Sequence, residues 1–386
     1  MKKKYLAILG STGSIGKSVL EVIKNSKIFK LKIIYANKNF REINHQINEF
    51  NPKIIIISDY NTYLKIKNKH KKKIVLNDLN DVKKHLKKID VSVAAISGIK
   101  GLESTILFTS LSKKILIANK ESIICGWNIL MNEAKKNFTE IVPIDSEHFS
   151  INFLLKSFST NQINKIYITA SGGPFLNYNL KDLKNVKPSQ AIKHPKWKMG
   201  KKISVDSATL INKILEVIEA SKLFSLALNK FKILVHPQSL IHSIIELKNG
   251  LKIFLYHEPN MKIPIANALL NYKENLILSK FTNAINDLEI TFKNIDEKKF
   301  PISSMISKID INNSSTILFN AANEILVDEF LNKKIKFTDI YRYLKLFLNS
   351  KNYLKTSKKL PNSINKINKL DLIGRQIIKK IISKKC

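Results

Sequence analysis

The sequence predicts an α/β protein in three parts: a doubly wound α/β domain, a central α+β domain and a C-terminal helical bundle. Three observations predict it. Nearly continuous Ile/Val/Leu runs alternate with helix-length polar stretches over residues 1–144, as in a parallel sheet covered on both faces. That alternation stops at Asp145, after which short strands mix with a long helix and a turn-rich loop. From residue 303 onward, apolar residues recur at helical spacing among many lysines.

Each element follows from its local pattern. Runs at 5–9, 31–36, 53–58, 91–96, 115–118 and 141–144 predict strands, with helices at 14–24 and 39–48 between them. Further strands are predicted at 165–170, 233–235, 243–247 and 252–255, and a helix at 207–224. In the bundle, Ile317, Ala321, Ile325 and Phe330 approximate one apolar face. The resulting division is 1–144, 145–270, a connecting stretch 271–302, and 303–386.

Composition limits the function classes. The chain has 386 residues, 44% of them hydrophobic, enough for packed cores without cross-links. Cys125 and Cys386 are the two cysteines, too far apart for a metal-ligand spacing, and a reducing cytoplasm suits them. No apolar run is long enough to span a membrane, and the run at 5–9 stops at Gly10, too short for a signal sequence. The formal net charge of +36 raises the question of nucleic acid. However, Lys, Ile and Asn are enriched everywhere, without a basic-aromatic module. The pattern is that of compositional drift, and neither nucleic acid nor membrane is expected as a partner.

The run at 5–9 leads directly into Gly10-Ser11-Thr12-Gly13-Ser14-Ile15-Gly16. A strand, a glycine turn and a helix start form a cradle for a pyrophosphate, held by backbone N–H groups at the helix N-terminus. The spacing is G-x-x-G-x-x-G, and its position on the first strand of the α/β pattern marks a Rossmann-like dinucleotide site. After the second strand come Asn37-Lys38-Asn39 and then Arg41, with no acid to bind ribose hydroxyls. Cations there suit the extra phosphate of NADP. Asn119-Lys120-Glu121-Ser122, after a later strand, either face the nicotinamide half or cap a helix through Asn119.

A second constellation is acidic. Asp145-Ser146-Glu147-His148 follows the last strand of the first part, and in an extended segment Asp145 and Glu147 point the same way. Asn212, Lys213 and Glu216 share a helix face at i, i+3 and i+4 spacing. Three carboxylates form a hard oxygen site that favours Mg²⁺ or Mn²⁺ over zinc, with Co²⁺ also admissible. A phosphate then needs its own donors, and Ser171, Ser207, Asn212 and Lys213 qualify, with Ser207 expected at the helix start. The loop from Lys193 to Gly200 carries His194 and Trp197. It predicts either a lid that excludes water or a surface loop pinned by its tryptophan. His236 reads as a core histidine, and the role of His242 stays open.

The segments 10–16, 118–122, 145–148, 171–175, 194–216 and 236–243, followed by Asn320-Ala321-Ala322-Asn323-Glu324, together resemble the 1-deoxy-D-xylulose 5-phosphate reductoisomerase family over nearly the whole chain. The resemblance implies the second step of the non-mevalonate isoprenoid pathway, with NADPH and a divalent metal as cofactors, a small phosphorylated sugar as substrate, and a homodimer. It implies Asp145, Glu147 and Glu216 as metal ligands and Ser171, Ser207, Asn212 and Lys213 as phosphate ligands. Ser146 and Lys213 would lie by the substrate hydroxyls, and His194, Trp197 and Met199 in the lid. Lys213, Glu147, His194 and Trp197 are the catalytic candidates. Thr12, Gly13, Ser14, Ile15, Asn37, Lys38, Asn39, Asn119, Lys120, Glu121 and Gly200 are the expected cofactor contacts. The chain departs from the family's usual residues at Asn37, Glu103-Ser104, 149–153, Asn260 and Lys262. Two other readings compete: an NADP-linked dehydrogenase without a metal, and a basic nucleic-acid protein, which the carboxylates disfavour.

Overall fold

The computed structural model describes residues 3–24, 26–197, 199–271 and 289–384. The chain divides into two compact units. One is drawn from 1–122, 126–149 and 260–280, the other from 123–125, 150–259 and 281–386.

The first unit begins with β1 (Lys4–Leu9), α1 (Ser14–Lys24), β2 (Phe29–Ala36), α2 (Phe40–Phe50), β3 (Ile54–Ile57), α3 (Tyr60–Lys69) and β4 (Ile74–Leu76). It continues through β5 (Ile89–Ala94), α4 (Leu102–Leu111), β6 (Ser112–Ile117), α5 (Lys120–Asn137), β7 (Glu140–Pro143) and the start of α6 (Ser146–Leu154). Its seven strands form one sheet in the order β4-β3-β2-β1-β5-β6-β7, every pair parallel. The order reverses between β1 and β5, and a doubly wound sheet opens its ligand crevice at such a point. Strand residues are buried on both faces (Leu6, Ile8, Ile34 and Ile55 on one, Ala7, Ile33, Ile54 and Ile56 on the other), which is why these runs lack alternation. β4 was not predicted: three residues between charged turns carry too short an apolar signal.

The second unit holds β8 (Ile163–Ala170), α7 (Leu180–Leu183), α8 (Pro188–Ala191), α9 (Lys201–Ala208), α10 (Ile211–Phe224), β9 (Phe231–Val235), β10 (Ile241–Leu247) and β11 (Lys252–Tyr256). These strands form a mixed sheet ordered β11-β10-β8-β9, with only β8 and β9 parallel. α11 (Lys262–Leu270) returns to the first unit, where Ile265 and Leu269 join the core beneath α1. The chain re-enters the second unit with an antiparallel bridge of Lys293 to Val235. It ends in α12 (Ser303–Ile306), α13 (Ser315–Leu331), α14 (Phe337–Leu348), α15 (Lys351–Ser357) and α16 (Ile364–Ser383). α13 is the central helix of this bundle: Ile317, Ala321, Ile325 and Phe330 are buried, and so are Leu318, Ala322 and Leu326 around its other faces. Among the described residues no helix is long and apolar enough to cross a membrane.

Two local readings are corrected. The helix expected at 207–224 is two helices, because Leu210 adopts a left-handed φ of 55° between α9 and α10. Ser207 therefore ends a helix rather than starting one. The segment after Asp145 is helical rather than extended. The Asp145 carbonyl accepts the Phe149 N–H at 2.8 Å, and the Asp145 side chain accepts the Ser146 N–H at 3.0 Å. An acid suits the N-terminal end of a helix, where free N–H groups face it.

Candidate active site

In the first unit the glycine turn lies where β1 meets α1. Gly10 has φ +89°, and a Cβ there would sit 2.7 Å from the Ala95 carbonyl oxygen, so only glycine fits between β1 and β5. A Cβ on Gly16 would fall 2.4 Å from the Gly10 oxygen. That closeness seats α1 against the turn. Gly13 and Ser14 are exposed and Thr12 and Ile15 half-buried, which leaves the first N–H groups of α1 open to a phosphate. Gln46, which the sequence did not single out, is buried and donates to the Ser11 carbonyl at 3.0 Å, bracing the turn from α2.

Asn37, Lys38 and Arg41 are exposed just past β2, as a site for an additional phosphate requires. Asn39 caps α2 by accepting the Glu42 N–H at 3.2 Å. Asn119 likewise caps α5, accepting the Ser122 N–H at 2.9 Å, while its amide donates to the carbonyls of Ile96 at 2.6 Å and Gly98 at 3.0 Å. It thus ties the loops after β5 and β6 together at the crevice end of the sheet. Beside it, the Lys120 ammonium lies 3.1 Å from Asp145 Oδ2, both groups largely withdrawn from solvent. Ser146 Oγ donates to Glu147 Oε2 at 2.7 Å. The first unit therefore presents two acids, a serine and a lysine at the C-terminal edge of its parallel sheet.

The second unit presents the remainder. Glu216 is 1% exposed; Lys213 Nζ lies 2.7 Å from its Oε2 and the Asn212 amide donates to its Oε1. Asn212 and Lys213 occupy the first turn of α10, so the helix end that favours an anion is that of α10. The Gly172-Gly173 turn after β8 packs on the end of α9, where a Gly173 Cβ would lie 3.0 Å from the Ser207 carbonyl oxygen. This brings the Ser171 loop beside Ser207. Both glycines have positive φ, +85° and +66°.

His194 ties the loop that carries Trp197 to the Ser171 turn. His194 Nδ1 accepts the backbone N–H groups of Trp197 at 2.9 Å and Lys196 at 3.2 Å. The ring proton of neutral His194 therefore sits on Nε2 and donates to Ser171 Oγ at 3.0 Å. Because the Gly173 N–H also points at that oxygen, at 3.2 Å, the Ser171 hydroxyl proton is left to donate outward. Trp197 packs on His242, ring centroids 6.0 Å apart, and His242 stacks on His257 at 4.1 Å. Lys198 lies outside the described residues; Gly200 is exposed at the cap of α9. His236 is a core histidine. It donates from Nδ1 to the Thr291 carbonyl at 2.9 Å and stacks on Phe292, and burial holds its pKa below the usual value.

Several side chains escaped the sequence reading because their partners are distant in the chain. Asp206 and Glu219 are buried acids, and His257 completes the ring stack. Three of the departures have structural partners: Phe149 and Ile151 are buried in α6, Lys262 pairs with Glu21, and Asn260 accepts the Lys262 N–H at 3.0 Å.

Comparison with known proteins gives the family. Residues 6–126 match a family profile described as 1-deoxy-D-xylulose 5-phosphate reductoisomerase. Residues 141–224 and 257–377 match two C-terminal domain profiles of the same reductoisomerase. A 1-deoxy-D-xylulose 5-phosphate reductoisomerase of Pelagibacter ubique (strain HTCC1062) is 43% identical over 376 residues, 95% of this chain and 97% of that protein. One from Wolbachia sp. subsp. Drosophila simulans (strain wRi) is 38% identical over 389 residues, 99% of this chain and 98% of its own length. The reductoisomerase structure from Zymomonas mobilis in complex with NADPH superposes with a TM-score of 0.88 at 31% identity, covering 99% of both chains. A reductoisomerase crystal structure with NADPH, fosmidomycin and magnesium gives 0.90 at 32% identity, covering 98% of both. The chain belongs to the 1-deoxy-D-xylulose 5-phosphate reductoisomerase family.

Proposed function

We propose that the chain converts 1-deoxy-D-xylulose 5-phosphate to 2-C-methyl-D-erythritol 4-phosphate, using NADPH and a divalent cation, Mg²⁺ or Mn²⁺. The observation that carries this reading is the buried set at the start of α10. There Glu216, an oxygen donor for a cation, is packed with Lys213 and Asn212, nitrogen donors for an anion. A phosphorylated substrate drawn to a metal needs both, side by side and out of water.

The donor set fits a hard cation: Asp145, Glu147 and Glu216 would hold it, and Lys120, Lys213 and Asn212 hold two of those acids in place. When bound, the cation supplies Lewis acidity to the substrate's oxygens and NADPH supplies the hydride. The chain's own residues do the rest. Ser171, Ser207, Asn212 and Lys213 seat the phosphate, with Ser171 oriented by His194. Ser146 binds a substrate hydroxyl, and Glu147 beside it can accept a proton from that hydroxyl. Trp197 covers the site and excludes water. The N–H groups of Thr12, Ser14 and Ile15 bind the pyrophosphate at the turn that the Gly13 N–H closes on the Gly10 carbonyl, Lys38 and Arg41 bind the additional phosphate, and Asn119, Lys120 and Glu121 lie toward the nicotinamide.

In this reading residues 1–144 serve the cofactor, 145–270 the chemistry, and 303–386 brace the chemistry. The chain works as a homodimer. β11 is an edge strand whose Phe254 and Tyr256 are exposed, with Leu251 just before it, an apolar strip that a second copy would cover. A reducing cytoplasm suits the buried free thiol of Cys125. The test is direct: mix the purified protein with NADPH, 1-deoxy-D-xylulose 5-phosphate and Mg²⁺ or Mn²⁺, and follow cofactor absorbance. Oxidation that a chelator stops is the expected result. Oxidation indifferent to chelator, or none at all, rejects the reading.

A further inference from the structure

The corner between α9 and α10 decides where Ser207 stands relative to Asn212 and Lys213. Only Thr209 and Leu210 separate the two helices, and Leu210 holds a left-handed φ of 55°. A non-glycine residue there costs about 1 kcal/mol and persists only where its surroundings over-determine it. Part of that constraint is local: Thr209 Oγ1 accepts the Ile211 N–H at 3.4 Å. The rest comes from the C-terminal helices, more than a hundred residues later. Tyr341 of α14 donates its hydroxyl to the Thr209 carbonyl at 2.6 Å. Asn323 of α13, fully buried, donates its amide to Asp206 Oδ1 at 2.7 Å. Asp206 is 1% exposed and directly precedes Ser207; Lys202 approaches its other oxygen at 3.1 Å. Phe337 of α14 also meets Phe175, close after the Ser171 turn, edge to face at 5.1 Å.

We propose that Asn323 and Tyr341 are positioning residues for the substrate's phosphate: from the C-terminal helices they fix the α9–α10 corner so that Ser207 and the first turn of α10 form one anion seat. Neither touches the ligand. Asn323 satisfies a buried carboxylate whose release would let the last turn of α9 rotate, and Tyr341 pins the carbonyl on which the corner pivots. The inference rests on the phosphate assignment made above and adds to it a role for the Asn320–Glu324 segment.

The experiment uses the full chain with NADPH and Mg²⁺. It compares Asn323→Ala, Tyr341→Phe, Lys213→Ala and a control, Tyr353→Phe, which removes from the same bundle a buried hydroxyl bonded to Ser315 and the Lys308 carbonyl. For each, KM and kcat for 1-deoxy-D-xylulose 5-phosphate, competition by inorganic phosphate, NADPH affinity and melting temperature are measured. Loss of one buried hydrogen bond predicts a rise of about tenfold in KM and in the phosphate inhibition constant for Asn323→Ala, and a smaller rise for Tyr341→Phe. The kcat and NADPH affinity should stay within about twofold, since the lost contact binds ground and transition states alike. Tyr353→Phe should lower the melting temperature and leave KM and phosphate competition unchanged. Wild-type KM and phosphate competition in both Asn323→Ala and Tyr341→Phe overturn the proposal, as does an equal change in Tyr353→Phe. If Asn323→Ala does not fold, Tyr341→Phe decides alone. If phosphate competes equally well with Lys213→Ala, the phosphate assignment itself is wrong, and the positioning role falls with it.

Discussion

Glu216 accepts from the nitrogens of Lys213 and Asn212 and has almost no contact with water. Glu216→Gln keeps the shape, removes the charge a cation needs, and leaves Lys213 facing an amide. Turnover should fall by roughly a thousandfold or more, while a fluorescence titration shows NADPH affinity unchanged. Retained turnover would remove Glu216 from the metal assignment. This group was legible in the sequence because helical spacing alone places 212, 213 and 216 on one face. The ring stack of Trp197, His242 and His257 was not, since β10 and the end of β11 bring two unrelated histidines together. Nor was the proton position on His194, which depends on two backbone N–H groups of its own turn.

Among the elements, the β1–turn–α1 unit carries the sharpest steric requirement. Gly16→Ala would place a methyl carbon 2.4 Å from the Gly10 oxygen, and backbone must shift. The predicted effect is a loss of about 1–3 kcal/mol in stability and at least about tenfold in NADPH affinity. Gly13→Ala, with 3.3 Å of clearance, should cost far less. Calorimetric titration of both variants with NADPH tests this, and an equal effect at the two positions contradicts the close-packing role of Gly16. The strands of the parallel sheet were legible because their apolar runs are long and bounded by turns. The break at Leu210 and the helix beginning at Ser146 were not. The first depends on bracing from α13 and α14, and the second on an aspartate whose capping role is indistinguishable from a ligand's by residue type alone.

At the scale of the whole molecule, burial sets a pH dependence. Lys222 donates to the Ile124 carbonyl at 3.0 Å, and desolvation lowers its pKa to about 8. In the unfolded chain a lysine holds its proton to about pH 10.4, so between these values the unfolded state binds more protons and stability rises with pH. Relative to Lys222→Met, which cannot titrate, the wild type should gain about 3 kcal/mol across that window. Urea unfolding of both proteins at several pH values measures it, and parallel curves would refute the burial of a titrating lysine. The strip on β11 gives a second prediction: Phe254→Lys combined with Tyr256→Lys should convert a dimer to a monomer by light scattering, while an unchanged mass places the interface elsewhere. In the proposed function Asp145 and Glu147, at the end of the parallel sheet, share one cation with Glu216 of α10. Anomalous scattering at the manganese edge, from crystals of the full chain grown with NADPH and Mn²⁺, tests it most directly. One strong peak with oxygens of all three side chains in its coordination shell is the predicted result; a peak that lacks any of them, or no peak, contradicts it.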